Sequence, residues 1–153
     1  MQIHIATDSD VATLFRIRTS VKENYQSLEE LAALGLTPDT VREMLHTTSR
    51  AWVAEIDNEA IAFSMAGAEE GTIFAMFVRP GYENRGAGGA LMRAAEEWLF
   101  SQGHDEIWLL TGSDERLRAN GFYLHLGWHA EGVESDGQLK YVKRKNSSSA
   151  VEG

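Results

Sequence analysis

Residues 2–7 alternate apolar and polar side chains around Ile3 and Ile5 and predict a short strand. Thr7-Asp8-Ser9-Asp10 offers capping oxygens, and Val11, Leu14, Phe15 and Arg18 follow at helical spacing. Residues 28–32 begin a second helical piece, which stops near Gly35. Thr37-Pro38-Asp39 predicts another helix start, with a hydroxyl cap, a proline in the first turn and an acid at the positive end of the dipole. Val41, Met44 and Leu45 then give that helix one apolar face.

The period changes near residue 50. Residues 51–56 read as a strand, Asp57-Asn58-Glu59 as a tight turn, and 60–65 as a second strand. Glu69-Glu70-Gly71 turns into a third strand over 72–78. Short turns imply an antiparallel meander, and the unbroken apolar run of the third strand predicts a central position covered on both faces. A glycine-rich loop over 81–89 leads into a helix from about residue 90 to 102, with Leu91, Ala95, Trp98 and Leu99 as its buried stripe. Gly103 ends it, and 106–111 reads as a buried strand. Strand, helix and strand at this spacing favour a parallel pair with a right-handed crossover. Residues 114–126 read as a helix carrying Leu117, Phe122 and Leu126, closed by Gly127. Residues 128–131 and 139–143 predict a hairpin around Ser135-Asp136-Gly137. Trp52, Trp98, Trp108 and the methionines read as core. The pattern predicts an α/β (α+β) fold in one domain over 1–144, without internal repeats, followed by a Ser-rich, disordered tail over 145–153.

Composition narrows the chemistry. No apolar run reaches membrane-spanning length, and the N-terminus lacks the basic start and long apolar stretch of a secretory signal. The absence of cysteine removes disulfides, thiolate nucleophiles and thiolate-bound metal, and fits a cytoplasmic protein. The five histidines lack zinc spacing, so no metal is expected. A net charge of −9 argues against nucleic-acid and membrane partners and slightly favours a cationic acceptor. Most of that charge reads as a solubilising surface.

The most informative segment is Val78-Arg79-Pro80-Gly81-Tyr82-Glu83-Asn84-Arg85-Gly86-Ala87-Gly88-Gly89-Ala90-Leu91. It passes from a buried strand through a proline turn and a glycine-rich loop into a helix. Free N–H groups at a helix start, together with the helix dipole, make a site for phosphate. Small residues over 86–90 let the backbone approach a pyrophosphate, and Arg85 adds a fixed positive charge beside it. A kinase-type P-loop needs Gly-Lys-Ser/Thr, which is absent. A dinucleotide fingerprint needs a third glycine where Leu91 stands; Glu106 keeps that alternative open, whereas three antiparallel strands before the loop count against it. A functionless turn is the bland alternative.

Arg85-Gly86-Ala87-Gly88-Gly89-Ala90 resembles the Arg/Gln-x-x-Gly-x-Gly/Ala signature of the GNAT superfamily of N-acetyltransferases, and Val78-x-Pro80 resembles that family's approach to the loop. The element order is similar over about residues 2–144. The resemblance implies a mixed, strongly twisted sheet of about six to seven strands flanked by helices. It implies acetyl-CoA as cosubstrate, lying between the strand ending at Val78 and the strand over 107–111. The N–H groups of Arg85, Gly86, Ala87, Gly88, Gly89 and Ala90 would hold its pyrophosphate. The backbone around Phe77 and Val78 would pair with the pantetheine arm, and one N–H there would polarise the thioester carbonyl.

Phe122-Tyr123-Leu124-His125-Leu126-Gly127-Trp128 resembles the family's Phe-Tyr-x-x-x-Gly-Phe block, with Trp128 in place of the phenylalanine. By that match Tyr123 is the general acid for the departing thiolate, since a phenol donates a proton without carrying charge itself. Read without the resemblance, Tyr123 is a helix tyrosine with its ring in the core and its hydroxyl at the rim. Many family members carry asparagine seven residues before the tyrosine; here Arg116 stands there, which bears on the contacts of this helix with the cofactor.

Direct transfer needs a neutral amine. Glu23, Glu55, Glu69, Glu70, His104 and Asp114 are candidate bases, each also readable as a surface residue, and water-mediated deprotonation is favoured over all of them. Val21-Lys22-Glu23-Asn24-Tyr25-Gln26-Ser27 is similar to a stretch in some bacterial family members and lines the acceptor pocket by that match, making Asn24 and Tyr25 candidate substrate contacts; a capped helix junction is the alternative. Lys140, Lys143, Arg144 and Lys145 read as a solvated strand edge. The function expected is acetyl transfer from acetyl-CoA to a primary amine of a small molecule or basic peptide. Transfer of another acyl group, an amide-forming reaction on an amino acid, or a non-catalytic acyl-CoA-binding sensor or interaction module, are the alternatives. Homodimers are common in the family, so the resemblance leaves a dimer open.

Overall fold

The structure, a computed structural model, describes residues 1–22, 25–111 and 116–145, with the side chains of 116–120 excepted. Within it the chain runs β1 (Gln2–Ile5), a 3-10 turn (Asp8–Asp10), α1 (Val11–Arg18), α2 (Leu28–Ala33), α3 (Pro38–His46), β2 (Ser49–Ile56), β3 (Glu59–Gly67), β4 (Thr72–Val78), α4 (Ala87–Ser101), β5 (Glu106–Thr111), α5 (Arg116–His125), β6 (His129–Val133) and β7 (Leu139–Arg144). The strands form a seven-stranded mixed sheet in the order β1-β2-β3-β4-β5-β7-β6. β1 to β4 are antiparallel neighbours, β4 and β5 are parallel, and β7 inserts antiparallel between β5 and β6.

Strand alternation divides the core between the two faces of this sheet. On one face Ala51 and Val53 of β2 and Phe63 and Met65 of β3 meet Val11, Leu14 and Ile17 of α1 and Val41 of α3. On the other, Trp52, Ala54 and Ala62 meet Leu91, Met92, Ala95 and Leu99 of α4. Leu91, Met92, Ala95 and Leu99 are fully buried, so each of the larger three contributes about 1.5–3 kcal/mol of hydrophobic free energy. Ser64, buried between sheet and helix, donates its hydroxyl to the Leu91 carbonyl at 3.2 Å and fixes where α4 crosses β3.

The helix starts follow local chemistry. Ser27 and Glu30 form a reciprocal capping box at the head of α2, with N–H to side-chain distances of 3.1 and 2.9 Å. Thr37 and Thr40 do the same for α3, whose first residue is Pro38.

The central strand departs from the sequence expectation. β4 sits mid-sheet, but only Thr72 and Ile73 are buried; Phe74 is 44% exposed and residues 75–78 are half-buried. Two features cause this. The β3–β4 register passes from Met65↔Ala75 to Ala66↔Ile73, leaving Phe74 as a bulged residue that bends the strand. The parallel partner β5 is in register only at Thr72↔Trp108 and diverges from there. The junction is pinned by the Trp108 N–H on the Gly71 carbonyl (3.1 Å) and the Thr72 hydroxyl on the Trp108 carbonyl (2.9 Å). Gly71 is required there: its φ is +71°, and a Cβ would lie 2.7 Å from His104 Nδ1. Trp98 and Trp108 are half-buried rather than fully buried, and Met1 is exposed.

Candidate active site

Past Thr72 the β4 and β5 strands spread into a cleft lined by residues 73–77 of β4, Leu109, Leu110 and Thr111 of β5, and Tyr123 of α5. Which β4 amides face it follows from the ladder. The Arg79 N–H donates to the Ile61 carbonyl at 2.8 Å, and Phe77 pairs with Phe63. Antiparallel pairing alternates, so the N–H groups of Phe77 and Arg79 point at β3 and those of Met76 and Val78 point at the cleft. The sequence reading singled out Phe77 and Val78; the geometry puts Val78 and Met76 on the open edge and turns the Phe77 amide away.

Beyond the end of β4 the glycine loop climbs to α4. Asn84 and Gly86 have φ values of 63° and 84°, and Gly86 is the N-cap of α4. The helix begins at Ala87, earlier than the sequence pattern suggested, because its first turn consists of glycine and alanine and shows no apolar periodicity. Gly88, Gly89 and Ala90 therefore lie inside the first turn. No side chain of the described residues caps it. The first intrahelical bond runs from the Ala90 N–H to the Gly86 carbonyl (3.2 Å), so the amides of 87–89 have no partner within the helix. Free amides at a helix start, together with the dipole, are the kind of feature that favours an anion. Arg85 is exposed beside it, with its guanidinium 5.6 Å from the Tyr82 ring; Arg79 lies 5.5 Å from the same ring.

The small residues of the loop have separate tasks. Gly86 has open space around it and is needed for its positive φ. Gly88 is needed for packing: a Cβ there would stand 3.2 Å from Phe122 Cζ and 3.5 Å from Met76 Cε. That close approach brings α5, and with it Tyr123, against the start of α4.

Tyr123 is half-buried. Its ring packs against Phe122 (5.0 Å), Tyr141 (5.1 Å) and Trp128 (6.2 Å), and it borders the cleft. Lys143, expected at a solvated edge, is instead turned inward toward Glu96 beneath Trp128. Lys140 and Arg144 do lie at the surface, beside Glu131 and Glu106.

A second pocket, of about 180 Å³, opens on the other face of β4. Leu14, Phe15, Leu31 and Val41 wall it from the helices and Leu36 from the connection between α2 and α3, and Phe63, Met65, Phe74, Ala75 and Phe77 floor it from the sheet. Phe74, Ala75 and Phe77 line both the pocket and the cleft, so the two meet along β4. Its polar corner is Arg18, whose Nη2 donates to Gln26 Oε1 (2.9 Å) and whose guanidinium lies 4.3 Å from the Phe77 ring centroid.

Not every residue singled out from sequence reaches the site. Tyr25 is 52% exposed and does not line the pocket, whereas its neighbour Gln26 does. Asn24, Glu23 and Asp114 lie outside the described residues, as does the side chain of Arg116 at the head of α5. Glu55, Glu69, Glu70 and His104 line neither the cleft nor the pocket. His104 instead bonds the Ala68 carbonyl through Nε2. No carboxylate stands among the described lining residues of either space. Arg18 and Gln26 were missed as site residues. The available signal was an arginine falling on the apolar stripe of α1.

A family model described as "Acetyltransferase (GNAT) family" matches residues 13–128, which include the glycine loop and Tyr123. The chain belongs to the GNAT acetyltransferase family. As a GNAT enzyme it is an acyl-CoA-dependent acetyltransferase, and the dinucleotide alternative falls. Its fold is similar to that of the PaiA N-acetyltransferase from Thermoplasma acidophilum, solved in complex with coenzyme A, with TM-score 0.77, 17% identity, and coverage of 95% of this chain and 100% of that one. It is also similar to a ribosomal-protein-alanine N-acetyltransferase from Brucella melitensis, with TM-score 0.76, 15% identity, and coverage of 95% and 100%. A GNAT-family acetyltransferase from Staphylococcus aureus matches with TM-score 0.72, 18% identity, and coverage of 94% and 99%. No helix of the described residues is long and apolar enough to cross a membrane.

Proposed function

We propose that this enzyme moves an acetyl group from acetyl-CoA to a primary amine by direct attack, with residues 1–144 acting as one catalytic unit. The observation that carries the reading is the position of Tyr123 on the cleft between β4 and β5, opposite the inward-facing amides of that strand edge.

The pyrophosphate would rest on the loop from Arg85 to Ala90, bound by the free amides at the start of α4 with Arg85 as counter-charge. The pantetheine arm would follow the open edge of β4 as an added strand, bonding the main chain near Met76 and Val78. One of those amides would then donate to the thioester oxygen as negative charge develops on it, an arrangement worth about 3–4 kcal/mol of barrier in comparable sites. The amine would enter from the apolar pocket on the other face of β4 and meet the thioester where the two spaces join. With no carboxylate among the described lining residues, its ammonium proton would leave through water. Tyr123 would protonate the departing sulfur, and as a phenol it stores no charge in the half-buried cleft before the reaction.

Replacing Tyr123 by phenylalanine tests this assignment. A general acid contributes about 10²–10⁴-fold, so kcat should fall by at least 10²-fold while calorimetry still detects acetyl-CoA binding. Unchanged turnover would remove Tyr123 from the mechanism. Heat from another acyl-CoA in preference to acetyl-CoA would move the enzyme to a different acyl donor.

A further inference from the structure

We infer that the acceptor is a compact primary monoamine whose body, apart from the amine itself, is apolar and uncharged. The inference rests on the acetyl-CoA reading above and extends it to the other half of the reaction.

The pocket is graded from closed to open. Leu14, Leu31, Val41, Phe63 and Met65 are buried and form its closed part. Phe74 is exposed, Ala75 and Phe77 are half-buried, and these three also line the cleft. A ligand with one polar end therefore has one favourable orientation. Its apolar body points to the closed part, and its nitrogen lies at β4, where the thioester would be. Among the described residues the polar side chains of the lining are Arg18 and Gln26, and they engage each other. Arg18 donates to Gln26 Oε1 at 2.9 Å, and its guanidinium lies 4.3 Å from the centre of the Phe77 ring. Recognition of the acceptor's body therefore falls to apolar contact.

These walls set both the size and the charge of the occupant. An apolar cavity of about 150 Å³ admits benzene, so a space of about 180 Å³ takes a body on the order of six carbons. Such a body gains affinity with every methylene that leaves water. A second ammonium in the same place would exchange water for aliphatic and aromatic walls, and a hydroxyl would lose its hydrogen bonds there. Polyamines and aminoglycosides bring further charges, and a peptide brings a backbone too large for the space. The pocket thus selects against them, although the chain carries a net charge of −9. The acidic surface attracts cations in general. The pocket decides which of them reaches the thioester.

The step balances as follows. The ammonium gives one proton to water, and the neutral nitrogen attacks the thioester carbonyl carbon. The C–N bond forms, the C–S bond breaks, and Tyr123 gives its proton to sulfur. The nitrogen's remaining surplus proton returns through water to Tyr123. The products are an N-alkylacetamide, free coenzyme A and one released proton.

The test measures coenzyme A release with acetyl-CoA and propylamine, butylamine or pentylamine. Cadaverine, which is pentylamine with a second amine at its far end, ethanolamine, spermidine and a lysine-rich peptide serve as comparisons. From propylamine to pentylamine kcat/KM should rise by about four-fold per methylene, and pentylamine should exceed every comparison by about ten-fold or more. Leu36→Glu puts a carboxylate on the pocket wall at a half-buried position in a connection, where a charge is tolerated. It should lower the ratio of pentylamine to cadaverine turnover by about ten-fold or more. Met65→Ala enlarges the closed part and should move the optimum to a longer alkylamine. A kcat/KM independent of chain length, preference for cadaverine, spermidine or the peptide, or an equal effect of Leu36→Glu on pentylamine and cadaverine would overturn the inference. Calorimetry with acetyl-CoA, run on each protein, separates the levels. Binding without turnover of any alkylamine overturns the acceptor assignment alone, and no binding by the parent enzyme overturns the reading beneath it.

Discussion

Lys143 Nζ lies 2.8 Å from Glu96 Oε1, and this pair joins three elements behind Tyr123. Glu96 comes from α4 and also accepts the indole N–H of the fully buried Trp128 at 2.8 Å. Lys143 comes from β7 and also donates to the Leu126 carbonyl at the end of α5, at 2.7 Å. The two side chains are only 10% and 22% exposed, so the network is largely shielded from solvent screening. Removing one partner of a buried pair costs about 3–5 kcal/mol because the other charge is stranded; with this residual exposure, about 2 kcal/mol is expected for Lys143→Met. Urea denaturation measures it. Because Trp128 and Tyr141 pack against the Tyr123 ring, the variant should also lower kcat more than it alters acetyl-CoA affinity. Equal stability would show the pair to be ornamental.

Gly86 and Gly88 stand two residues apart, and their variants should fail for different reasons. Gly86→Ala meets no atom of the described residues but must hold a φ of 84°, costing about 1–2 kcal/mol of stability or displacing the loop amides. Its chief effect should be weaker acetyl-CoA binding by calorimetry. Gly88→Leu would drive a side chain into Phe122 and Met76 and push α5 away from α4. It should lower the melting temperature sharply and reduce turnover through Tyr123. If Gly88→Leu leaves the melting temperature unchanged, the close contact between α4 and α5 is wrong.

These two glycines also show how far the sequence could be read. The glycine loop, the element order and Tyr123 were legible because each has a local signature: positive-φ residues, an apolar period, a motif. The divergence of β4 from β5 was not, since it depends on a bulge at Phe74 and a register between strands 36 residues apart (Thr72 and Trp108). Nor was the strand edge that faces the cleft, because backbone alternation is fixed only once the pairing of Phe77 with Phe63 is known. Lys143 looked like part of a basic surface run for the same reason. Its partner Glu96 lies 47 positions away, and nothing local marks an inward lysine. Arg18 stands between the two cases: its place on an apolar stripe was visible, but the pocket it enters is completed by β3 and β4.

Glu59 gives a dependence on pH. The Arg79 guanidinium, 2.8 Å away, holds its carboxyl below the ordinary glutamate value, first through a hydrogen bond and then through charge. A depressed pKa means the folded state prefers the ionised form. The stabilisation is therefore present above the ordinary value of about 4.3 and is lost as pH falls through the lower folded value. Glu59→Gln should be less stable than the parent at pH 7, and the difference should vanish in acid. High salt should shrink it, because the pair is exposed. Urea titrations at neutral and acid pH test this; a difference that grows on acidification would reverse the sign.

Ala75 is the sharpest probe of the proposed meeting of donor and acceptor. It lines the cleft and the pocket together, lies one position past the bulged Phe74, and packs on the α1 face of the sheet. Its side chain is a single methyl where the two spaces join, so a larger group there would occupy the point at which amine and thioester must touch. The main-chain amides of Met76 and Val78 and the α4 amides would be untouched, so acetyl-CoA should still bind. Ala75→Leu should therefore keep acetyl-CoA affinity within a few fold while kcat/KM for the amine falls by about 10²-fold, the scale on which a 1 Å misplacement of reacting groups acts. Separate measurement of acetyl-CoA binding and amine turnover distinguishes this from general damage. If both fall together, the two spaces do not divide the substrates between them. If neither falls, the reaction does not pass through the junction at Ala75.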